Sequence, residues 1–425
     1  MPPTLLRRLI DHATLRSLGP GLITGAADDD PSGIATYSQA GAQFGFNALW
    51  TLVLTYPFMV GIQLVSARIG RVTGLGLAAN IRRVYPPWLL YAIVVLLLVA
   101  NLINIAADIA AMGEATRLVA GRGSAHLYSL GFGLLCLMLQ VFLPYAAYVR
   151  YLKWLTLALL SYVACAFAVH LDWAEVAART VWPHFAWNAA SVGLVVAVFG
   201  TTISPYLFFW QASQEVEEIR STPRTRALRM RPPDAAAQIA RMKSDTLIGM
   251  GFSNLVAFFI MLTAAATLGV HGVTGTVTAS QAADALRPLA GEFAFLAFAL
   301  GIVGTGMLAV PVLAGSAAYA VTESFSWRNG LDLKLLEARR FYAIVALATM
   351  GGALLDFAPI DPIAALVLSA QINGVIAVPV MVVMLLLARH RKIMGSYTLS
   401  LRHAVTGWCG VAVMLAAALA MLLPS

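Results

Sequence analysis

Hydrophobic and polar positions along this chain fall into long apolar runs separated by short charged ones. A helix needs about 20 mostly apolar residues to cross a bilayer. Ten such runs stand at 48–69, 88–111, 127–145, 154–170, 189–213, 247–270, 293–321, 341–357, 363–388 and 404–423. One more run, the first in the chain, is interrupted. Residues 22–27 are apolar, Asp28, Asp29 and Asp30 follow, then Pro31-Ser32-Gly33, and the apolar pattern resumes over 34–44. Proline removes a backbone donor and glycine weakens a helix, so the pattern predicts a break between about Asp30 and Gly33. The sixth run is interrupted as well, by Gly200, Thr201, Thr202, Ser204 and Pro205. The pattern predicts an all-α integral membrane protein of about eleven transmembrane helices, with the first and sixth broken.

Composition agrees, with 60% hydrophobic and 11% charged residues, where a soluble domain carries about 25% charged. The mean hydropathy is +0.80. The net charge of +8 does not point to nucleic acid, because the lysines and arginines lie between apolar runs, where membrane proteins keep them. With the N-terminus inside, 24 of them fall in inner segments and 4 in outer ones, Arg117, Arg122, Arg179 and Arg287. That imbalance predicts a multi-pass protein of the cell inner (plasma) membrane, N-terminus cytoplasmic and C-terminus outside. Residues 5–9, interrupted by Arg7 and Arg8, are too short for a cleaved signal peptide. Cys136, Cys165 and Cys409 all sit in apolar runs, so neither a disulfide framework nor a zinc site is expected.

Against that background the aspartate triplet changes meaning. A carboxylate at bilayer depth is costly, and broken backbone there is tolerated only where it is buried in protein or lines a wet cavity. One reading places the triplet at the membrane surface, capping the following helix, with Asp28 turned to water. The other is a cation site, where a carboxylate and carbonyls freed by the break suit a hard divalent ion. Two interrupted helices at corresponding positions of two halves point to an inverted-repeat transporter with its site at the midplane.

Gly19-Pro20-Gly21, Asp30-Pro31, Gln39-Ala40-Gly41, Phe44-Gly45 and Leu49-Trp50 resemble the first helix of the Nramp family of divalent-metal transporters. The similarity runs on through Ala107-Asp108 and the Gly-Thr-Thr-Ile-Ser-Pro break at 200–205, and loosens after about Leu247. The resemblance implies a LeuT-type fold of two inverted five-helix repeats, at 19–170 and 189–388, after a cytoplasmic N-terminus at 1–18 and before an eleventh helix at 404–425. It implies Asp30 as the metal-binding carboxylate and Ala27 as its carbonyl partner, with Thr201 offering the carbonyl freed by the second break. Asp108 matches an aspartate of the family's proton path.

The departures from the family carry as much information. Gly33 stands where the family has an asparagine ligand, and Ser204 and Tyr206 stand where it has a methionine and a histidine. A glutamate of the proton path is Ala111, with Glu114 a turn further on. Without the thioether the donors are all hard oxygens: the Asp30 carboxylate, the carbonyls of Ala27 and Thr201, the Ser204 hydroxyl, and water beside Gly33. Such a set loses the preference for transition metals and leaves room for hydrated magnesium. The chain is thus similar to the Nramp-related magnesium-transporter branch, moving Mg2+ or Mn2+ with weak or no proton coupling. Proton-coupled transition-metal import is the alternative.

Around the site, Asp28, Asp29, Tyr206, Gln371 and Asn373 are cavity candidates, and Asp108 and Glu114 candidates for a proton path. Gln371, Asn373, Asp245 and Asn254 equally suit helix-to-helix hydrogen bonds. Glu215, Glu217 and Glu218 either draw cations to an inner vestibule or pair with Arg220 and Arg224. Residues 220–243 read as a solvated loop, and His184 and His271 as outer-loop residues without metal-spaced partners. No HExxH, catalytic triad or nucleotide loop is present, so no enzyme and no cofactor is expected. An organic-solute symporter would place glycine and hydroxyls, not three aspartates, at the first break. A channel usually builds its ring from several subunits, whereas two breaks in one chain enclose a site in a monomer.

Overall fold

The computed structural model describes residues 19–143, 158–184, 188–222, 225–269, 277–357 and 361–422, and their regular structure is entirely helical. The helices of six residues or more are α1 (Pro20–Asp28), α2 (Pro31–Phe44), α3 (Trp50–Thr73), α4 (Leu77–Val84), α5 (Pro87–Ala120), α6 (Ala125–Phe142), α7 (Leu160–Ala168) and α8 (Trp173–Val181). After them come α9 (Ala189–Thr202), α10 (Pro205–Ser221), α11 (Ala235–Thr267), α12 (Ala279–Asp284), α13 (Ala294–Ser324), α14 (Arg339–Leu355), α15 (Pro362–Arg389) and α16 (Leu401–Leu422). Among the described residues eight spans are long and apolar enough to cross a membrane, α9 and α10 counting as one. The other three expected spans are the broken first, α14 with 17 residues, and the fifth, of which α7 is the described part.

The first break falls one step earlier than the sequence pattern suggested, and the second falls inside the interruption at 200–205. The first lies at Asp29–Asp30 and the second at Ile203–Ser204, each directly before a proline. Pro31 and Pro205 open the following helix, where a missing N–H costs nothing because that position has no intrahelical acceptor. Two other boundaries move outward. Residues 235–243, expected in a solvated loop, are the first turns of α11 and bury Gln238 and Met242, while Leu228 ahead of them is fully buried. The 34 residues of α5 extend about 51 Å, so it projects beyond a hydrocarbon layer of about 30 Å.

The first span packs along α11, and α10 packs on α3. These two pairings, span 1 on span 7 and span 6 on span 2, exchange when each span is matched to the one five further on. So do α5 on α6 and α13 on α14, while α5 and α13 pack on each other. The contact of span 1 with α11 is backbone on backbone. A Cβ on Gly25 would lie 2.2 Å from the Gly249 carbonyl oxygen, and one on Gly21 would lie 2.6 Å from the Thr246 nitrogen. Small residues four apart let helices approach this closely in a membrane. Large apolar residues such as Val53, Val95, Leu255 and Leu347 face outward, as lipid requires.

Candidate metal site

The two breaks bring free backbone groups and a carboxylate together in the interior. Asp30 is the N-cap of α2: its Oδ1 accepts the Gly33 N–H at 2.7 Å. Its Oδ2 faces the Asn104 amide of α5 at 3.3 Å and the Tyr206 hydroxyl of α10 at 3.3 Å. The same hydroxyl donates to the Ala27 carbonyl, freed by the end of α1, at 3.1 Å. One hydroxyl thus touches both oxygens that the family resemblance assigns to the ion. Asp30 is 2% exposed, Ala27 and Tyr206 0%, so the centre is sealed from both membrane faces.

Tyr206, expected at the edge of the cavity, stands at its centre. Ser204, expected to offer a hydroxyl to the ion, instead donates to the carbonyls of Gly200 and Thr201 at 2.8 and 2.9 Å. The Thr201 carbonyl therefore has one lone pair engaged and one left. A Cβ on Gly33 would meet the Tyr37 ring at 3.2 Å and the Thr201 hydroxyl at 3.4 Å, so the room expected for water beside Gly33 is closely packed by these neighbours. Asp28 and Asp29 point to α11: the Ser253 hydroxyl lies 2.6 Å from Asp28 Oδ2 and 3.0 Å from Asp29 Oδ1. Both are at most 2% exposed, which excludes the reading of Asp28 as a surface cap.

Asp108, also on α5, is fully buried and neither of its carboxylate oxygens has a hydrogen-bond partner. Glu114 lies apart from this cluster, in a pair with Arg117 at 2.5 Å, its side chain 20% exposed. Gln371 bonds the Gly193 carbonyl across helices at 3.0 Å, and Asn373 is buried with an unpartnered Oδ1. Asn104, Ser253 and Ser369 were not anticipated. Ser369 donates to Asn104 Oδ1 at 2.7 Å and so turns the Asn104 amide toward Asp30. A sequence signal for Asn104 existed: Asn101, Asn104 and Asp108 are spaced to share one face of a helix.

The inner glutamates pair differently from expectation. Arg71 of α3, 1% exposed, bonds Glu215 at 2.5 Å and also Glu218, which Arg241 reaches too. Glu217 accepts from Tyr319 and from Leu331 N–H. Arg220 takes the Asn329 carbonyl, and Arg224 lies outside the described residues. Asp245 accepts the N–H groups of Gly19, Gly21 and Leu22 at 3.0, 2.7 and 3.2 Å. It thereby satisfies the donors that a helix N-terminus leaves open, and fixes α1 to α11. His184 contacts Arg179 at 2.6 Å, while His271 lies outside the described residues.

Among the described residues no three His, Cys, Asp or Glu side chains are arranged to hold an ion. The centre is one carboxylate surrounded by neutral oxygens. The atoms that meet there are all oxygen and nitrogen, with no thioether among them.

Comparison with known proteins places this architecture. The divalent metal cation transporter MntH of Yersinia pestis (strain Pestoides F) is 28% identical over 317 residues, 71% of each chain. The protein of the same name from Yersinia pseudotuberculosis serotype O:3 matches equally. In structure, the Eremococcus coleocola manganese transporter superposes with a TM-score of 0.73 at 16% identity, covering 99% of this chain and 87% of that one. A nucleobase-cation-symport-1 family transporter, in a closed conformation with bromovinylhydantoin bound, gives 0.60 at 13% identity, covering 96% and 92%. These two likenesses establish the LeuT-type fold. The model of natural resistance-associated macrophage protein-like sequences matches residues 21–424, and the chain therefore belongs to the Nramp family.

Proposed function

We propose that this protein carries Mg2+ or Mn2+ across the plasma membrane by alternating access at the Asp30 centre, with weak or no proton coupling. As an Nramp protein it is a multi-pass membrane transporter of divalent metal cations and not an enzyme. The finer reading rests on one observation: the Tyr206 hydroxyl lies 3.1 Å from the Ala27 carbonyl oxygen and 3.3 Å from the Asp30 carboxylate, with no thioether or imidazole among them. The Tyr206 hydroxyl occupies the ground between the two oxygens a cation would bridge. It holds the two together and gives way, or turns a lone pair to the ion, when cargo arrives. With few protein donors at the centre the ion keeps some of its water, which magnesium gives up reluctantly. A single carboxylate also keeps binding weak enough for release.

Positive-inside sorting supports a cytoplasmic N-terminus, and a site enclosed by one chain supports a monomeric working unit. One observation favours the proton-coupled alternative: Asp108, fully buried with both oxygens unpartnered, is placed to hold and release a proton. Uptake into proteoliposomes decides between them, with Mg2+, Mn2+, Ca2+ and Cd2+ compared and internal pH recorded together. Saturable Mg2+ or Mn2+ entry without matching acidification supports the proposal. Cd2+ entry with Mg2+ excluded overturns it.

A further inference from the structure

Three arginines from three separate elements converge on one cavity at the membrane face where α1 begins. Arg82 of α4, Arg220 of α10 and Arg328 of the segment after α13 line a space of about 410 Å³, together with Trp327 and Glu323. Arg82 donates to the Ser324 carbonyl and the Ser326 hydroxyl. Arg220 donates to the Asn329 carbonyl at 3.2 Å. These bonds fix both guanidinium groups while using one nitrogen each, and a guanidinium carries five N–H donors. None of the three arginines enters an ion pair among the described residues. Glu323 offsets one of the three positive charges at most, and its oxygens are held by the Ala79 N–H and the Ser213 hydroxyl at 3.2 Å each, so the lining keeps an excess of positive charge. An adjoining cavity shares Ser326, Trp327 and Arg328 and adds Arg339 and Arg340, the latter 4.6 Å over the Trp327 ring.

The cavity lies at headgroup level. Phe325 stacks on Trp327 at 4.9 Å and meets Tyr91 of α5 at 6.0 Å. Trp88, one turn before Tyr91, is 69% exposed. Such aromatic clusters mark the membrane–water interface. From Tyr91 an exposed apolar stripe continues up α5 through Val95 and Val99, spaced to share one face.

We infer that this cavity binds the phosphate headgroup of an anionic phospholipid, whose acyl chains lie along the Tyr91–Val95–Val99 stripe. The forks of Arg82, Arg220 and Arg328 match phosphate oxygens. The bound lipid clamps α4 of the first half against α10 and the end of α13 of the second. The inference is independent of which ion is carried.

The test uses the full chain in neutral phosphatidylcholine micelles, titrated with phosphatidylglycerol and followed by thermal unfolding and native mass spectrometry. Phosphatidylglycerol should be retained and raise the unfolding midpoint. Each arginine near a membrane surface contributes enough that its loss costs about fivefold in affinity. Arg82→Gln with Arg328→Gln should therefore weaken the effect about 25-fold. Arg328→Gln alone, which removes an exposed side chain without hydrogen bonds, should weaken it about fivefold even if the double variant folds poorly. Arg402→Gln, an exposed arginine outside the cavity, should leave it unchanged. Equal losses in Arg402→Gln, or none in Arg328→Gln, overturn the site. Stabilisation by inorganic pyrophosphate but not by phosphatidylglycerol overturns the lipid assignment in favour of a soluble anion.

Discussion

Asp30→Asn isolates charge from shape at the proposed metal centre. The amide oxygen keeps the 2.7 Å bond from Gly33 N–H, and asparagine equals aspartate as an N-cap, so α2 should start where it does now. What is lost is the attraction for a dication. At about 2.1 Å and an effective dielectric constant of about 20, that attraction is about 16 kcal/mol before the ion sheds water. Dehydration cancels most of it. A surviving quarter, about 4 kcal/mol, still amounts to about a thousandfold in affinity. The groups that touch Asp30 or share its Tyr206 contact, the Asn104 amide, the Tyr206 hydroxyl and the Ala27 carbonyl, carry no charge that could stand in. Saturable uptake of Mg2+ and Mn2+ into proteoliposomes should vanish at concentrations that saturate the parent protein. The unfolding midpoint without metal should stay within about 1 kcal/mol of the parent. Normal uptake at an unchanged half-saturating concentration would refute the assignment of Asp30 and with it the centre described above.

Ser204→Met with Gly33→Asn restores the family's residues, and in a folded double variant Mg2+ entry should fall while Cd2+ competes better; an unchanged ratio of the two uptakes counts against the hard-site reasoning. The same variant should unfold somewhat earlier, because the Ser204 hydroxyl bonds to Gly200 and Thr201 are lost, at about 1 kcal/mol each. Arg71→Met strands Glu215, which is 0% exposed, and should cost about 3–5 kcal/mol. Adding Glu215→Leu should recover part of that in thermal unfolding, and an equal loss in both variants would show that the pair is energetically idle. Metal uptake should proceed without stoichiometric internal acidification, and acidification that disappears in Asp108→Asn would make Asp108 a sufficient proton carrier.

The eleven spans were legible because a bilayer imposes a length and a composition on every crossing helix, and both breaks because proline and glycine announce themselves. The extent of each gap was drawn too wide by one consistent error. Pro31 and Pro205 were treated as part of the gap, whereas each is the first residue of the next helix. Pairings made by tertiary packing were not legible. Tyr206 and Asp30 are 176 residues apart, and nothing local to either tells that the hydroxyl meets Ala27. Sequence proximity favoured Arg220 as partner of the inner glutamates, but Arg71, 144 residues from Glu215, is carried there by the packing of α3 on α10. Asn104 lay between these cases, since its helical register with Asp108 was visible but its target was not.

The electrostatics of the interior explain why the site departs from its family without losing its purpose. Asp28, Asp29, Asp30 and Asp108 are each at most 2% exposed, and none enters an ion pair among the described residues. Two arginines at the end where α1 begins are held elsewhere, Arg71 by Glu215 and Glu218 and Arg241 by Glu218. Buried charge without a fixed counter-charge is costly, so the positive charge that relieves it must be mobile: the cargo ion, or protons that stand in when it is absent. A lysine or arginine placed among these carboxylates would stabilise the fold and abolish the need for an ion. Losing the family's histidine and thioether leaves that imbalance intact, because neither carries the negative charge. On the proposed reading the imbalance sets the requirement for a cation, while the neutral donors around Asp30 set which cation meets it.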